Sequence, residues 1–266
     1  MAPVRFYQFL FGTGFFLLLV MPAVADKLDD IKARGRLLVG VTESSPPFSF
    51  REAGKGITGY DVDLADRVAK ALGVASEKIL IINAERIPTL QQDRVDIVAA
   101  GMTRSKNRAG DVDFSFAYLD SPHQVLVRKD SDVAHVADLA GRKLALVKSA
   151  SVDAELKAAV PTLQIAFFDD YSLAFAALTD GSVGGFLADK MLLLWYAQKS
   201  GHPNDYALIA DYELPRTAGF AVKKNEPRLL DVVNQTLLKL EASGEAAKIY
   251  NAWFAPVPRS FRIQPD

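Results

Sequence analysis

Three stretches decide the fold: Leu37-Leu38-Val39-Gly40-Val41, then YDVDLADRVAKAL over Tyr60–Leu72, then Lys78-Ile79-Leu80-Ile81-Ile82. The first and third are short, apolar and β-rich, which suits strands buried on both faces. The middle one has the helical period: Leu64, Val68 and Leu72 share a face with Ala65 and Ala69 beside them, and Gly73 follows as a stop. Strand, helix and strand in this order make a βαβ unit with a parallel sheet. The same alternation runs outward along the chain. Further strand-like runs are 96–100, 124–128, 143–147, 164–168, 184–188, 206–209 and 219–222. Helix-period segments lie at 151–160, ended by Pro161, and at 225–240. In the latter Asn225 reads as the N-cap, and Leu229, Val233, Leu237 and Leu240 form the apolar face.

The alternation runs twice, with one series ending near Leu119 and another starting near Gln124. No repeat or low-complexity linker separates them. The expectation is an α/β protein of two Rossmann-like lobes joined by two extended crossing segments. Residues 26–120 plus 217–266 form lobe 1, and residues 121–216 form lobe 2. Residues 1–25 read as a cleaved secretion signal, with Arg5 ahead of an apolar run and Ala23-Val24-Ala25 as the cleavage site. A periplasmic location follows from that reading.

Composition removes several functions. With no cysteine among 266 residues, disulfides, thiol catalysis and Cys-ligated metal are excluded. Without Arg5 the chain carries 30 basic and 32 acidic residues, a balance that suggests neither nucleic acid nor an anionic membrane as partner. His123, His135 and His202 are scattered without ligand spacing, and no nucleophile or phosphate-loop motif is present. Gly54-Lys55-Gly56-Ile57-Thr58-Gly59 fits G-x-G-x-x-G but does not follow the first core strand directly. It reads as a turn between a hairpin and a helix. No cofactor and no catalytic residue are expected.

Two constellations carry chemistry. In DIVAAGMTRSKNR, Asp96–Arg108, a strand ends at a small-residue turn, and a hydroxyl and several cations follow where a helix would begin. Ligands of open α/β sheets bind at the carboxyl ends of strands, and an arginine can hold a carboxylate through two parallel hydrogen bonds. A solvated basic turn is an equal reading of these residues alone. The second constellation is Lys148–Asp153 with Asp189 at the end of the strand 184–188. A lone Asp there is commonly a helix cap, but in a cleft it could hold an ammonium group. Arg and hydroxyls for a carboxylate, with Asp for an amine, together describe a receptor for a zwitterion.

Several motifs stand in register along the whole mature chain: Gly59-Tyr60-Asp61-Val62-Asp63-Leu64-Ala65, Arg86-Ile87-Pro88-Thr89-Leu90, Asp113-Phe114-Ser115, Asp138–Lys143, Ala188-Asp189 and Ser243–Phe254. On them the chain resembles the polar amino-acid-binding family of periplasmic solute receptors, the substrate-binding components of ABC importers. The resemblance implies a monomer of two lobes that bend about a hinge, an amino acid as ligand and an inner-membrane permease as partner. It further implies that Arg108 grips the α-carboxylate with help from Thr103 and the backbone of Gly101. Ser151 would add a hydroxyl from the second lobe, and Asp189 would take the α-ammonium.

Within the family the chain looks closest to glutamate/aspartate receptors, with three departures. Thr42 stands where those receptors have an arginine, Tyr171 where a ligand-contacting histidine is expected, and Ala150 in place of a threonine. Arg86 is retained, as a ligand contact or a structural ion-pair partner. No aromatic for stacking on the ligand stands near Ser45. The site thus suits a polar, amide or small neutral ligand as readily as an acidic one. A dehydratase acting on cyclohexadienyl substrates shares the fold, but it has a glutamate where this chain has Leu192. A diffusible sensory module remains a third reading.

Overall fold

The computed structural model describes residues 26–148 and 153–265; the run read as a secretion signal, and Ala150 and Ser151, lie outside them. The chain opens with helix α1 (Lys27–Arg34), capped by the Asp26 side chain, and strand β1 (Arg36–Val41). A three-stranded hairpin sheet follows, β2 (Ser44–Ser45), β3 (Ser49–Glu52) and β4 (Gly56–Thr58), then helix α2 (Tyr60–Leu72) and β5 (Ala75–Leu80). Helix α3 (Arg86–Gln91), β6 (Ile97–Val98), β7 (Val112–Phe114) and β8 (Leu119–Asp120) lead to the first crossing. Beyond it lie β9 (His123–Arg128), β10 (Lys143–Val147), α4 (Asp153–Ala159), β11 (Gln164–Phe168), α5 (Tyr171–Thr179), β12 (Gly185–Asp189), α6 (Lys190–Lys199) and β13 (Tyr206–Leu214). The chain then returns through β14 (Thr217–Ala218) and β15 (Ala221–Lys223) and ends in α7 (Pro227–Ala242) and α8 (Glu245–Phe254).

Two five-stranded sheets result, ordered β5-β1-β6-β15-β7 and β11-β10-β12-β9-β13. Each has a parallel core, with β1 beside β5 and β6 and β10 beside β11 and β12. In each, the fourth strand, β15 or β9, runs against its neighbours. The antiparallel strand of each sheet lies next to a crossing, so the second lobe is an insertion whose entry and exit are adjacent. Those crossings pair as β8 with β14, matching Leu119 to Ala218 and Asp120 to Thr217.

The helical faces read from the sequence pack as expected. Leu64, Ala65, Val68 and Ala69 of α2 and Leu229, Val233, Leu237 and Leu240 of α7 are buried in one cluster. That cluster passes through Tyr118, Leu119 and Phe220 at the crossing and continues into the second lobe with Phe186, Leu192 and Leu193. A second cluster around Val125, Leu144 and Leu187 packs the opposite face of the second sheet.

Several local expectations are corrected. β6 is two residues long, because Gly101 turns the chain out at φ +57° before Thr103. No α-helix begins after Thr103; Arg108 opens only a three-residue 3-10 turn. Asn225 is not the cap of α7. It takes a left-handed φ of 64°, and its N–H donates to Asp113 Oδ2 at 3.0 Å, so the helix starts two residues later. Gly54 sits in the turn of the β3–β4 hairpin and Gly56 opens β4, so of this glycine motif only Gly59 stands directly ahead of α2.

Gly59 meets a strict requirement. Its φ is +142°, and a Cβ there would stand 2.2 Å from the carbonyl oxygen of Phe48. Replacing Gly59 with Ala is expected to cost about 1–3 kcal/mol. A urea unfolding midpoint equal to that of the parent protein would show that the Phe48 turn yields without strain.

Candidate functional site

The carboxyl ends of both parallel cores point at the space between the lobes, where open α/β sheets place ligands. A cavity of about 30 Å³ lies there. Gly101, Thr103, Arg108 and Arg86 line it from the first lobe, and Asp189, Tyr171 and Lys148 from the second. Phe48, Val147, Leu187 and Leu192 supply apolar wall.

Two guanidinium groups dominate the first-lobe side. Arg108 is only 9% exposed and donates from Nη1 to the Thr103 carbonyl at 3.0 Å. Burial, reinforced by the neighbouring charge of Arg86, brings its pKa down to about 9. Arg86 is 4% exposed and donates to the carbonyls of Asn83 and Ala100, at 3.0 and 3.2 Å. Burial lowers its pKa, opposed by a hydrogen bond with the Tyr171 side chain. Tyr171 thus ties the two lobes together over Arg86.

Asp189 faces these cations from the end of β12. Its Oδ1 accepts from the backbone N–H groups of Met191 and Leu192 at 2.8 and 3.2 Å, and its Oδ2 accepts from the Ser121 hydroxyl. The helix-cap role and the cleft position are therefore both real. Burial raises its pKa to about 6 against those three hydrogen bonds. Behind the cavity wall, Asp61 is fully buried, accepts from the Gly101 N–H at 2.7 Å and is raised by burial to about 7.

Of the residues singled out from sequence, Arg108, Thr103, Gly101, Arg86, Tyr171 and Asp189 share this cavity. Ser151 lies outside the described residues. Thr42 does not reach the cavity. It is buried beside β1, where its hydroxyl donates to Ser45 Oγ at 2.8 Å and its N–H donates to Ser49 Oγ. The turn of β1 into the hairpin consumes its polar groups. Gly101 is corrected in part: its N–H is taken by Asp61, leaving its carbonyl as the group it can offer.

Two cavity residues escaped the sequence reading. Phe48 lines the cavity beside Ser45, and a Cβ on Gly101 would be 2.9 Å from its ring. The signal was a proline-flanked aromatic just after the first strand. His123 lines the cavity with Nε2 3.3 Å from Thr103 Oγ1. Burial, then the charges of Arg216, Arg108 and Arg86, push its pKa down to about 3, so the ring is neutral. Spacing along the chain could not reveal it, because its partners are 20 and more residues away.

At the mouth, the lobes touch through aromatic side chains. Phe50 of β3 packs on Trp195 of α6 with ring centroids 5.4 Å apart, and the Tyr196 hydroxyl donates to the Ser44 carbonyl at 2.9 Å.

Two facing lobes with converging buried charges define a receptor cleft of the type II periplasmic-binding-protein class. The chain belongs to the bacterial extracellular solute-binding proteins, family 3, whose model matches residues 37–256. The glutamine-binding protein GlnH of an ABC transporter in Bacillus subtilis is 29% identical over 238 residues, covering 88% of this chain and 86% of the relative. The L-glutamate/L-aspartate-binding protein of Pseudomonas aeruginosa is 30% identical over 259 residues, covering 91% and 85%. Among solved structures, a mutant of ArgBP from T. maritima superposes with a TM-score of 0.80 at 31% identity, covering 86% of this chain and 99% of the other.

The Phe50–Trp195 and Tyr196–Ser44 contacts join the two lobes at the mouth. Combining Phe50→Ala with Tyr196→Phe should shift the open–closed equilibrium about tenfold toward open, given the usual worth of an aromatic pair and a hydrogen bond. Small-angle scattering of the unliganded protein should then give a larger radius of gyration. An unchanged radius would mean that these contacts do not set the equilibrium.

Proposed function

We propose that this protein is the periplasmic substrate-binding component of an amino-acid ABC importer, and that it captures a polar L-amino acid, acidic or amide, between its lobes. The observation that carries the reading is the meeting of buried Arg108 and buried Asp189 on one cavity from opposite lobes. An α-carboxylate on Arg108 and Thr103, with an α-ammonium on Asp189, would satisfy both charges at once. Arg86 and Tyr171 then face the ligand side chain as donors suited to a carboxylate or an amide oxygen. Relatives named for glutamine, and for glutamate and aspartate, support the same ligand class. Ser151 is assigned a further hydroxyl contact from the second lobe.

In this reading lobe 1 comprises residues 26–120 and 217–266 and lobe 2 residues 121–216, with the hinge at β8 and β14. A ligand that touches both lobes only when the cleft is shut shifts the population toward closure by its differential affinity. The closed form is what the permease would recognise. The cleft offers no acid where the related dehydratase carries one, since Leu192 is a buried apolar wall residue.

Three outcomes test this. The protein is unfolded and refolded to strip bound ligand, then melted with each common L-amino acid. A saturating ligand at 100 times its dissociation constant stabilises by about 2.7 kcal/mol. A shift for glutamate, aspartate or their amides is expected, and no shift with any amino acid would sink the reading. Arg108→Ala should weaken binding by about 2–5 kcal/mol in calorimetric titration; a tenfold or smaller loss would remove Arg108 as the anchor.

The third concerns pH. The form of Asp189 that holds an ammonium is ionised, and burial places its pKa at about 6. Affinity should therefore be level above pH 7 and fall as pH drops through 6, by up to about tenfold per unit. Asp189→Asn should bind weakly and without that dependence. A parent affinity that is flat from pH 7 to 5 would argue against Asp189 as the ammonium partner.

A further inference from the structure

Among the described residues five charged side chains are buried: Asp61, Arg86, Asp96, Arg108 and Asp189. Asp96 is paired with Arg34 at the end of β6 away from the cleft. The other four gather at the cleft. Arg86, Arg108 and Asp189 line the cavity, and Asp61 stands behind the Gly101 turn, whose N–H it accepts at 2.7 Å. Lys148, a further cation of the lining, is paired with Asp169 at 2.6 Å on the exposed side. Two buried cations therefore face two buried anions.

Asp61 and Arg86 are joined through one peptide group. Its N–H, from Gly101, donates to Asp61 Oδ2, and its carbonyl, from Ala100, accepts from Arg86 Nη1 at 3.2 Å. A planar trans peptide carries these two groups on opposite edges, so only one peptide plane separates the carboxylate from the guanidinium. The carboxylate polarises that peptide and makes its carbonyl a stronger acceptor for Arg86. Asp61 is thus the buried counter-charge of Arg86 although it does not reach the cavity.

We infer that Asp61 decides between an amide and an acid at the ligand side chain: ionised, it balances Arg86 and suits an amide, while an acidic side chain enters with a proton that settles on Asp61. This rests on the receptor reading above, in which a zwitterion neutralises Arg108 and Asp189 and the ligand side chain meets Arg86. A neutral amide then completes a cleft without net charge. A carboxylate would leave one buried negative charge in excess, which is unfavourable. Of the two buried carboxyl groups, Asp61 is the more readily protonated, since burial raises its pKa to about 7 against about 6 for Asp189. The ligand ammonium further keeps Asp189 ionised. The other titratable groups that face Asp61 are Tyr60 and Tyr118, and burial raises both, so they stay neutral. At pH 8 Asp61 is ionised, and protonating it costs an acidic ligand about tenfold in affinity. An amide ligand leaves Asp61 as it is and keeps the level affinity above pH 7 that Asp189 sets. An acidic ligand departs from it and weakens, by up to about tenfold per unit, as pH rises beyond 7.

The test compares glutamate with glutamine, and aspartate with asparagine, by calorimetric titration at pH 8. Asp61→Asn keeps an acceptor for the Gly101 N–H and removes the charge. The ratio of acid to amide dissociation constants should fall about tenfold or more in this variant and lose its dependence on pH. A residue that only braces the Gly101 turn would weaken both members of a pair alike. Titration of the parent protein in two buffers of different ionisation enthalpy reads the same property without a variant. Proton uptake should approach one for the acid and stay near zero for the amide. An unchanged ratio in folded Asp61→Asn, or equal proton uptake with both ligands, would overturn the inference. If no member of either pair binds the parent protein, the receptor reading falls and takes this inference with it. If the pairs bind and the ratio or the uptake fails, only the role of Asp61 falls.

Discussion

The paired crossing of β8 and β14 is the constraint on which the rest of the architecture depends. Two extended segments hydrogen-bonded to each other allow the lobes to rotate about the pair but not to slide past it. The candidate site is built onto that axis. Thr103 forms a bridge with Ala218 of β14, and the Arg104 N–H donates to the Thr217 carbonyl at 2.8 Å. On the other side, the Ser121 N–H donates to the Arg216 carbonyl at 2.8 Å while its hydroxyl holds Asp189. The groups assigned to the two poles of the ligand are thus anchored within a few residues of the hinge. A small rotation changes their separation little, while the aromatic contacts at the mouth move much further.

Burial makes the chemistry of this cleft selective. Arg108, Arg86 and Asp189 are each less than a tenth exposed, and a charge removed from water needs an opposite charge and well-placed hydrogen bonds. The protein supplies part of that need internally: carbonyls for the guanidinium groups, and N–H groups and a hydroxyl for the carboxylate. A ligand with the complementary pattern completes the set, whereas a mismatched one leaves buried groups unsatisfied. The same burial shifts the pKa of Asp189 upward and those of the arginines downward.

Much of the frame is legible in the sequence. The apolar faces of α2 and α7, the doubled strand–helix alternation and the placement of Asp189 at a strand end all follow from local periodicity and the geometry of parallel sheets. The errors were also local. Asn225 looked like a cap, yet a carboxylate at Asp113, more than a hundred residues away, takes its N–H and holds it in a left-handed turn. Thr42 looked like a cleft residue, yet its polar groups are consumed by Ser45 and Ser49 across the first hairpin.

By itself the sequence determined the elements, the two-lobe plan and the types of charge near the carboxyl ends of the strands, because periodicity and turn chemistry act over a few residues. Only the tertiary structure decided which of those groups face one another. Strand register sets His123 opposite Asp189, the crossing brings Thr103 within reach of His123, and the turn after β1 carries Phe48 onto Gly101. Each of these depends on contacts between segments far apart in the chain. Which side chains meet across the cleft is therefore a property of the packed lobes.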